Sequence, residues 1–98
     1  MWILRSVSEG SDPFTFRIRP GTVKTVGRAP RADFIVDAAL VSRVHCRLEA
    51  NEEKLEVIDL SSTNGTFVND RRVTRAPLAG GDRLRVGRIE LTVERNAS

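Results

Sequence analysis

Three short clusters between Gly27 and Gly65 bring together side chains suited to holding a tetrahedral anion. Gly27-Arg28 follows an apolar, β-branched run made of Thr22, Val23, Thr25 and Val26. Ser42-Arg43-Val44-His45 opens a second strand-like run, and Ser61-Ser62-Thr63-Asn64-Gly65-Thr66 precedes the pair Phe67-Val68. Arg28 and Ser42 are 14 residues apart, and His45 and Asn64 are 19 apart. A fixed guanidinium, a hydroxyl, an amide and turn N–H groups on neighbouring loops are what a phosphate dianion requires. Arginine presents two parallel N–H donors to two oxygens, a geometry that lysine lacks. The glycine ahead of Arg28 has no Cβ and permits an unusual backbone turn, which projects the arginine from the strand end. Asn64 donates and accepts through one amide, and Gly65 admits positive φ. Each cluster also has an ordinary use: Asn64-Gly65 reads as a hairpin turn, and Arg28 as one more surface arginine.

Ser42 and His45 invite a nucleophile–base pairing, but a triad also needs an orienting acid and oxyanion donors. No G-x-S-x-G elbow is present, so no enzymatic activity is expected. His45 is the single histidine and Cys46 the single cysteine, which leaves no zinc-binding set and no internal disulfide. Alternation of Cys46 with Leu48 and Ala50 makes it a small buried residue rather than a reactive thiol.

The 16 basic and 13 acidic residues leave a net charge of +3, and 14 of the basic ones are arginine. They are dispersed from Arg5 to Arg95, with only Arg71-Arg72 adjacent and no aromatic interleaving. Nucleic acid normally demands a denser stripe, so none is expected as partner. No run approaches the 18 or so apolar residues of a membrane helix. Met1-Trp2-Ile3-Leu4-Arg5 lacks a basic n-region, so an intracellular setting, cytoplasmic or nuclear, is expected.

The positions that must hold these clusters read as short strands. Phe14, Phe16 and Ile18 alternate with Thr15, Arg17 and Arg19, which gives one apolar and one wet face. Cys46, Leu48 and Ala50 alternate in the same way with His45, Arg47 and Glu49. Leu84 and Val86 should pair with Ile89, Leu91 and Val93 across Gly87-Arg88, and Trp2–Val7 should lie beside the last strand. Residues 29–40 contain Pro30 and no helical period, and read as loop, short strand Phe34–Val36, loop. Val68-Asn69-Asp70 is a structural turn, and Asn51-Glu52-Glu53 a hairpin loop into Leu55–Asp59. Asn96-Ala97-Ser98 reads as a frayed tail. With 98 residues, one domain is expected over 1–98, its core about 2–95.

The order and spacing of the three clusters resemble the forkhead-associated (FHA) domain family over roughly residues 2 to 95. That resemblance implies an all-β, two-sheet β-sandwich of about eleven short strands with ligand-binding loops at one end. It implies a non-enzymatic, monomeric module, free of cofactors and metals, that binds a phosphothreonine-containing protein or peptide. Arg28, Ser42, Arg43 and Thr63 would meet the phosphate, although the family varies the residue type at the position of Arg43. Asn64 would hold the peptide main chain, while Gly27, His45 and Gly65 would support the site, His45 by tying the loops together. Residues flanking the phosphothreonine would be read by the loops Ala38–Val41 and Asn51–Lys54. Two alternatives stay open: a sandwich that binds partners through a sheet face without phosphate, and a nucleic-acid-binding β-domain drawing on the arginine excess.

Overall fold

A computed structural model describes residues 1–7 and 14–96. The chain runs through β1 (Trp2–Ser6), β2 (Thr15–Ile18), β3 (Val23–Gly27), β4 (Phe34–Ile35), β5 (Cys46–Ala50) and β6 (Leu55–Asp59). It continues through β7 (Thr66–Val68), β8 (Arg71–Val73), β9 (Arg75–Leu78), β10 (Arg83–Val86) and β11 (Ile89–Arg95). A six-stranded sheet, in the order β2-β1-β11-β10-β7-β8, packs on a five-stranded sheet, β4-β3-β5-β6-β9. The described residues contain no helix, and so none long and apolar enough to cross a membrane.

Period-two burial builds both inner faces. β5 buries Cys46, Leu48 and Ala50 and turns Arg47 and Glu49 outward, and β6 buries Leu55 and Val57 opposite them. Leu84 lies across from Leu91 and Val86 from Ile89, with a turn at Gly87-Arg88, as their alternation predicts. β1 does lie beside β11, Leu4 opposite Val93, although Val7 falls just past the strand end. Leu4, Ile18, Leu48, Leu55, Leu84 and Leu91 are fully buried. At about 1.5–3 kcal/mol for each such side chain, they supply a frame stiff enough to hold long loops. The Cys46 thiol sits within this core, pushed up to about 12 by burial and by the nearby Asp59 charge, and so stays protonated.

The short strand expected near Phe34 is only two residues long and runs parallel to β3. Asp33 extends its work: Thr25 donates both its N–H and its hydroxyl to Asp33 Oδ2, at 2.8 and 3.1 Å. Those bonds, the backbone one first, hold the Asp33 carboxyl below the usual carboxylate range. Asn69 and Asp70 both adopt positive φ (50° and 67°) in the β7–β8 turn, and Asn69 Oδ1 accepts the Arg83 N–H at 3.0 Å. Of the expected tail, residues 97 and 98 lie outside the described residues; the Asn96 N–H donates to the Met1 carbonyl at 2.8 Å.

One expectation is corrected. Asn64-Gly65 is not a hairpin turn, because β6 pairs with β5 and β9 in one sheet while β7 pairs with β8 and β10 in the other. Residues 60–65 therefore cross from sheet to sheet, a gap of about 10 Å that a two-residue turn cannot span. The crossing lays this loop over one end of the sandwich, beside the end of β3 and the start of β5.

Candidate functional site

At that end the chain is zipped to itself across long sequence separations. The His45 N–H donates to the Val26 carbonyl at 2.8 Å, Arg28 N–H to Ser42 at 2.9 Å, and Ala29 N–H to Arg43 at 3.0 Å. Gly27 sits inside this zip. A Cβ there would lie 2.1 Å from the Arg43 carbonyl oxygen and 2.9 Å from the Val44 α-carbon. Its φ is not in the left-handed region. The expected backbone turn is thus replaced by a different need: two backbone segments touch where any side chain would stand.

His45 is 0% exposed and governs the loop pair. Ser42 N–H donates to His45 Nδ1 at 3.0 Å, so Nδ1 carries no proton, and Nε2–H donates to the Gly65 carbonyl at 2.8 Å. The Thr63 N–H in turn donates to Ser42 Oγ at 3.0 Å. Ser42 is held from both sides, yet its own hydroxyl proton stays available as a donor. Gly65 takes φ +89°, as its turn position demands. His45 thus bonds both the Ser42 loop and the Gly65 loop.

A second anchor escaped the sequence. Asp59 Oδ1 accepts the hydroxyls of Ser62 and Thr66, and Oδ2 accepts the Ser62 N–H at 3.2 Å. Ser62 Oγ then accepts the Gly65 N–H at 3.0 Å, which closes the loop on itself. Partial burial pushes the Asp59 carboxyl up, but the Ser62 and Thr66 bonds and the nearby His45 outweigh it and hold it below the usual range. The signal was present as Asp59-x-x-Ser62, a spacing at which a carboxylate reaches the N–H and hydroxyl of a following turn residue.

These ties frame a hollow of about 470 Å³ lined by Arg28, Asp37, Leu40, Ser42, Thr63 and Asn64, among others. Arg28 Nε donates to the Val41 carbonyl at 3.1 Å, which fixes the plane of the guanidinium. Neither Nη atom has a hydrogen bond or ion pair among the described residues. Asn64 Nδ2 donates to the Leu40 carbonyl at 3.1 Å, leaving its amide oxygen and one N–H exposed. Leu40 adopts φ 71° and is 46% exposed, a strained conformation of about 1–3 kcal/mol kept at the lip of the hollow.

Arg28, Ser42, Thr63 and Asn64 are therefore brought together, with Gly27, His45 and Gly65 beneath them. Arg43 is not on that hollow. It borders an adjoining one of about 440 Å³ with Ala29, Pro30 and Asp37, and Arg28 stands on the rim of both. Ala38–Val41 lines the first hollow. Asn51–Lys54 does not, because β5 starts at the site with Cys46 and carries the chain to the opposite end of the sandwich. There Asn51 Oδ1 accepts the N–H groups of Glu53 and Lys54 at 2.8 and 2.7 Å.

Comparison with known proteins gives the geometry a family. The FHA domain model matches residues 24–87. The oxoglutarate dehydrogenase inhibitor of Corynebacterium efficiens is 39% identical over 67 residues, 68% of this chain and 47% of that protein. The chain spans about half the length, or less, of the curated relatives it matches. The FhaA FHA domain, solved in complex with the intracellular domain of another protein, superimposes with a TM-score of 0.86 at 34% identity, over 96% of this chain and 100% of that one. A structure described for phosphothreonine-dependent FHA domain interactions gives a TM-score of 0.85 at 30% identity, over 97% and 96%. Two sheets with this loop-crowned end, and a family match over most of the chain, have one conclusion: the chain belongs to the forkhead-associated domain family.

Proposed function

We propose that this chain is a non-enzymatic, phosphothreonine-dependent receptor for a protein or peptide, acting as a monomeric module over residues 1–98. One observation carries it: Arg28, pinned through Nε to Val41 and with neither Nη bonded among the described residues, borders a hollow that it shares with Ser42. A phosphate entering there accepts two parallel N–H bonds from Arg28 and the free hydroxyl proton of Ser42. Arg43 adds positive charge from the adjoining hollow, and Thr63 lines the wall. Asn64 exchanges its bond to Leu40 for the ligand main chain, so the amide is never left without a partner. His45 and Asp59 touch no ligand and keep the two loops in register. The single cysteine, free and buried, suits a reducing, intracellular setting.

Two or three charge-assisted bonds at about 1.5–3 kcal/mol each supply much of the affinity. Ordering an extended peptide takes back a good part, which leaves binding near the micromolar range. The test is titration of one peptide in three forms, carrying phosphothreonine, phosphoserine or unmodified threonine. Only the first two should bind, with phosphothreonine preferred several-fold for its extra methyl group. Equal binding of phosphorylated and unmodified peptide would favour instead a sheet face that ignores phosphate. A steep loss of affinity with salt would favour nucleic acid.

A further inference from the structure

One cation lies directly on the binding loop without serving the hollow. We infer that Arg72 is a specificity-determining residue that receives an acidic side chain of the ligand close to its phosphothreonine; this rests on the phosphothreonine-receptor function proposed above. The β7–β8 pairing places Arg72 opposite Phe67, on the outer face of the six-stranded sheet. On the other side of Phe67, Arg85 holds its guanidinium carbon 4.4 Å from the ring centre and bonds Asp70 through Nη1 at 3.2 Å. Arg85 is thus committed. Arg72 is exposed, and among the described residues it has neither an ion pair nor a hydrogen bond.

What places Arg72 at the site is Gly65. A Cβ on Gly65 would lie 2.8 Å from Arg72 Nε and 3.1 Å from its Cζ, so the guanidinium rests on the bare α-carbon. The missing side chain serves two ends: it permits φ +89° and it leaves room for the Arg72 side chain against the loop. Gly65 directly follows Asn64, with α-carbons about 3.8 Å apart. A ligand held at Asn64 in extended form advances about 3.3 Å per residue. Arg72 is then within reach of a side chain about one to three positions from the phosphothreonine. The nearby carboxylates are already used, Asp70 by Arg85 and Asp59 by Ser62 and Thr66. Among the described residues no carboxylate pairs with Arg72, and a ligand carboxylate can.

The experiment uses a phosphothreonine peptide flanked by alanines, with a single glutamate moved through three positions on each side. Wild type, Arg72→Ala and Arg72→Glu are titrated by fluorescence anisotropy. The wild type should bind one glutamate peptide about two- to five-fold tighter than the alanine parent, the scale of an exposed ion pair. Arg72→Ala should erase that preference while keeping the wild-type affinity for the alanine parent within a factor of about two, and Arg72→Glu should reverse the preference relative to its own affinity for the alanine parent. A preference that survives in Arg72→Ala overturns the inference. So does equal weakening of every peptide, which would make Arg72 a mere prop for Gly65. A flat scan on a well-bound parent phosphopeptide overturns this inference alone. A parent bound no better than its unphosphorylated form removes the receptor function and this inference together.

Discussion

The two ends of the sandwich tie down their loops in different ways. At the Asn51 end the N–H groups of the loops around Asn51 and Asp82 are closed locally, although the Trp2 and Arg95 side chains reach the Asn51 and Glu52 carbonyls from 49 and 43 residues away. Asn51 closes its own turn two and three residues on, and Asp82 Oδ2 accepts the N–H of Ala79 three residues back. Arg95 there is occupied, donating to the Glu52 carbonyl and stacking over Trp2. At the Arg28 end local bonds at Ser42, Ser62 and Gly65 are joined by long-range ones between loops: Arg28 to Val41, Thr63 to Ser42, His45 to Gly65 and Asn64 to Leu40 span 13, 21, 20 and 24 residues. A turn that closes on itself needs nothing from the rest of the fold. Loops that close on one another hold side chains of distant sequence origin at a fixed spacing, with donors left facing outward. The difference marks the second end as the place where the fold is spent on positioning.

The comparison is broken most directly at Arg28. Arg28→Ala is expected to weaken phosphopeptide binding by more than about thirty-fold, from a loss of roughly 2–5 kcal/mol when one member of a close charge pair is removed. Because the side chain is exposed and, among the described residues, bonds only through Nε, the melting temperature should barely move. Calorimetric titration beside a thermal melt separates the two. Retained binding would place the receptor surface elsewhere.

His45→Ala should show the converse. It strands the Ser42 N–H and the Gly65 carbonyl in a buried setting, at about 1–3 kcal/mol. The melting temperature should fall, with weaker binding as a consequence of loosened loops. An unchanged melt combined with lost binding would make His45 a direct ligand group.

Asp59 sharpens the contrast through pH. Its folded-state value lies below the ordinary carboxylate value, so its contribution is complete above the unfolded-state value of about 4. It is lost as pH falls through the lower folded value, because the neutral acid no longer holds three donors. Asp59→Asn should therefore cost about 1–2 kcal/mol at neutral pH. Its denaturation midpoint should also decline less between neutral and acid pH than that of wild type. Parallel decline in both proteins would show that the carboxylate charge does not hold the loop.

How much of this was legible follows from what kind of interaction each residue makes. Cys46, Leu48 and Ala50 announce their strand because burial there has the period of the backbone itself. Arg28, Ser42 and Asn64 are visible as donors of the right type in the right order. The use of Gly27 was not visible: its contact is with Arg43 and Val44, and no local rule says which segment will press on it. Asn64-Gly65 misled for the same reason, since the turn chemistry of a hairpin and of a sheet-to-sheet crossing is identical over those two residues. Arg72 is placed by the register of β7 on β8, and Arg43 was separated from the first hollow by how the loop leaves β3; neither is written in spacing.

The smallest effect tests whether the two ends are independent. Asn51→Ala removes the acceptor for the Glu53 and Lys54 N–H groups, but the loop is exposed and water replaces the lost bonds. The expected cost is about 0.5–1 kcal/mol, at the low end for a hydrogen bond. Phosphopeptide affinity should be unchanged, since Asn51 lies beyond the far end of β5 and shares no partner with Ser42, Thr63 or Asn64. Effects at separated sites without common partners add within a few tenths of about 1 kcal/mol. Asn51→Ala combined with His45→Ala should therefore give the sum of the two melting shifts and the binding of His45→Ala alone. A drop in affinity from Asn51→Ala would mean that β5 transmits strain along its length, and that the local and long-range ends are one cooperative unit.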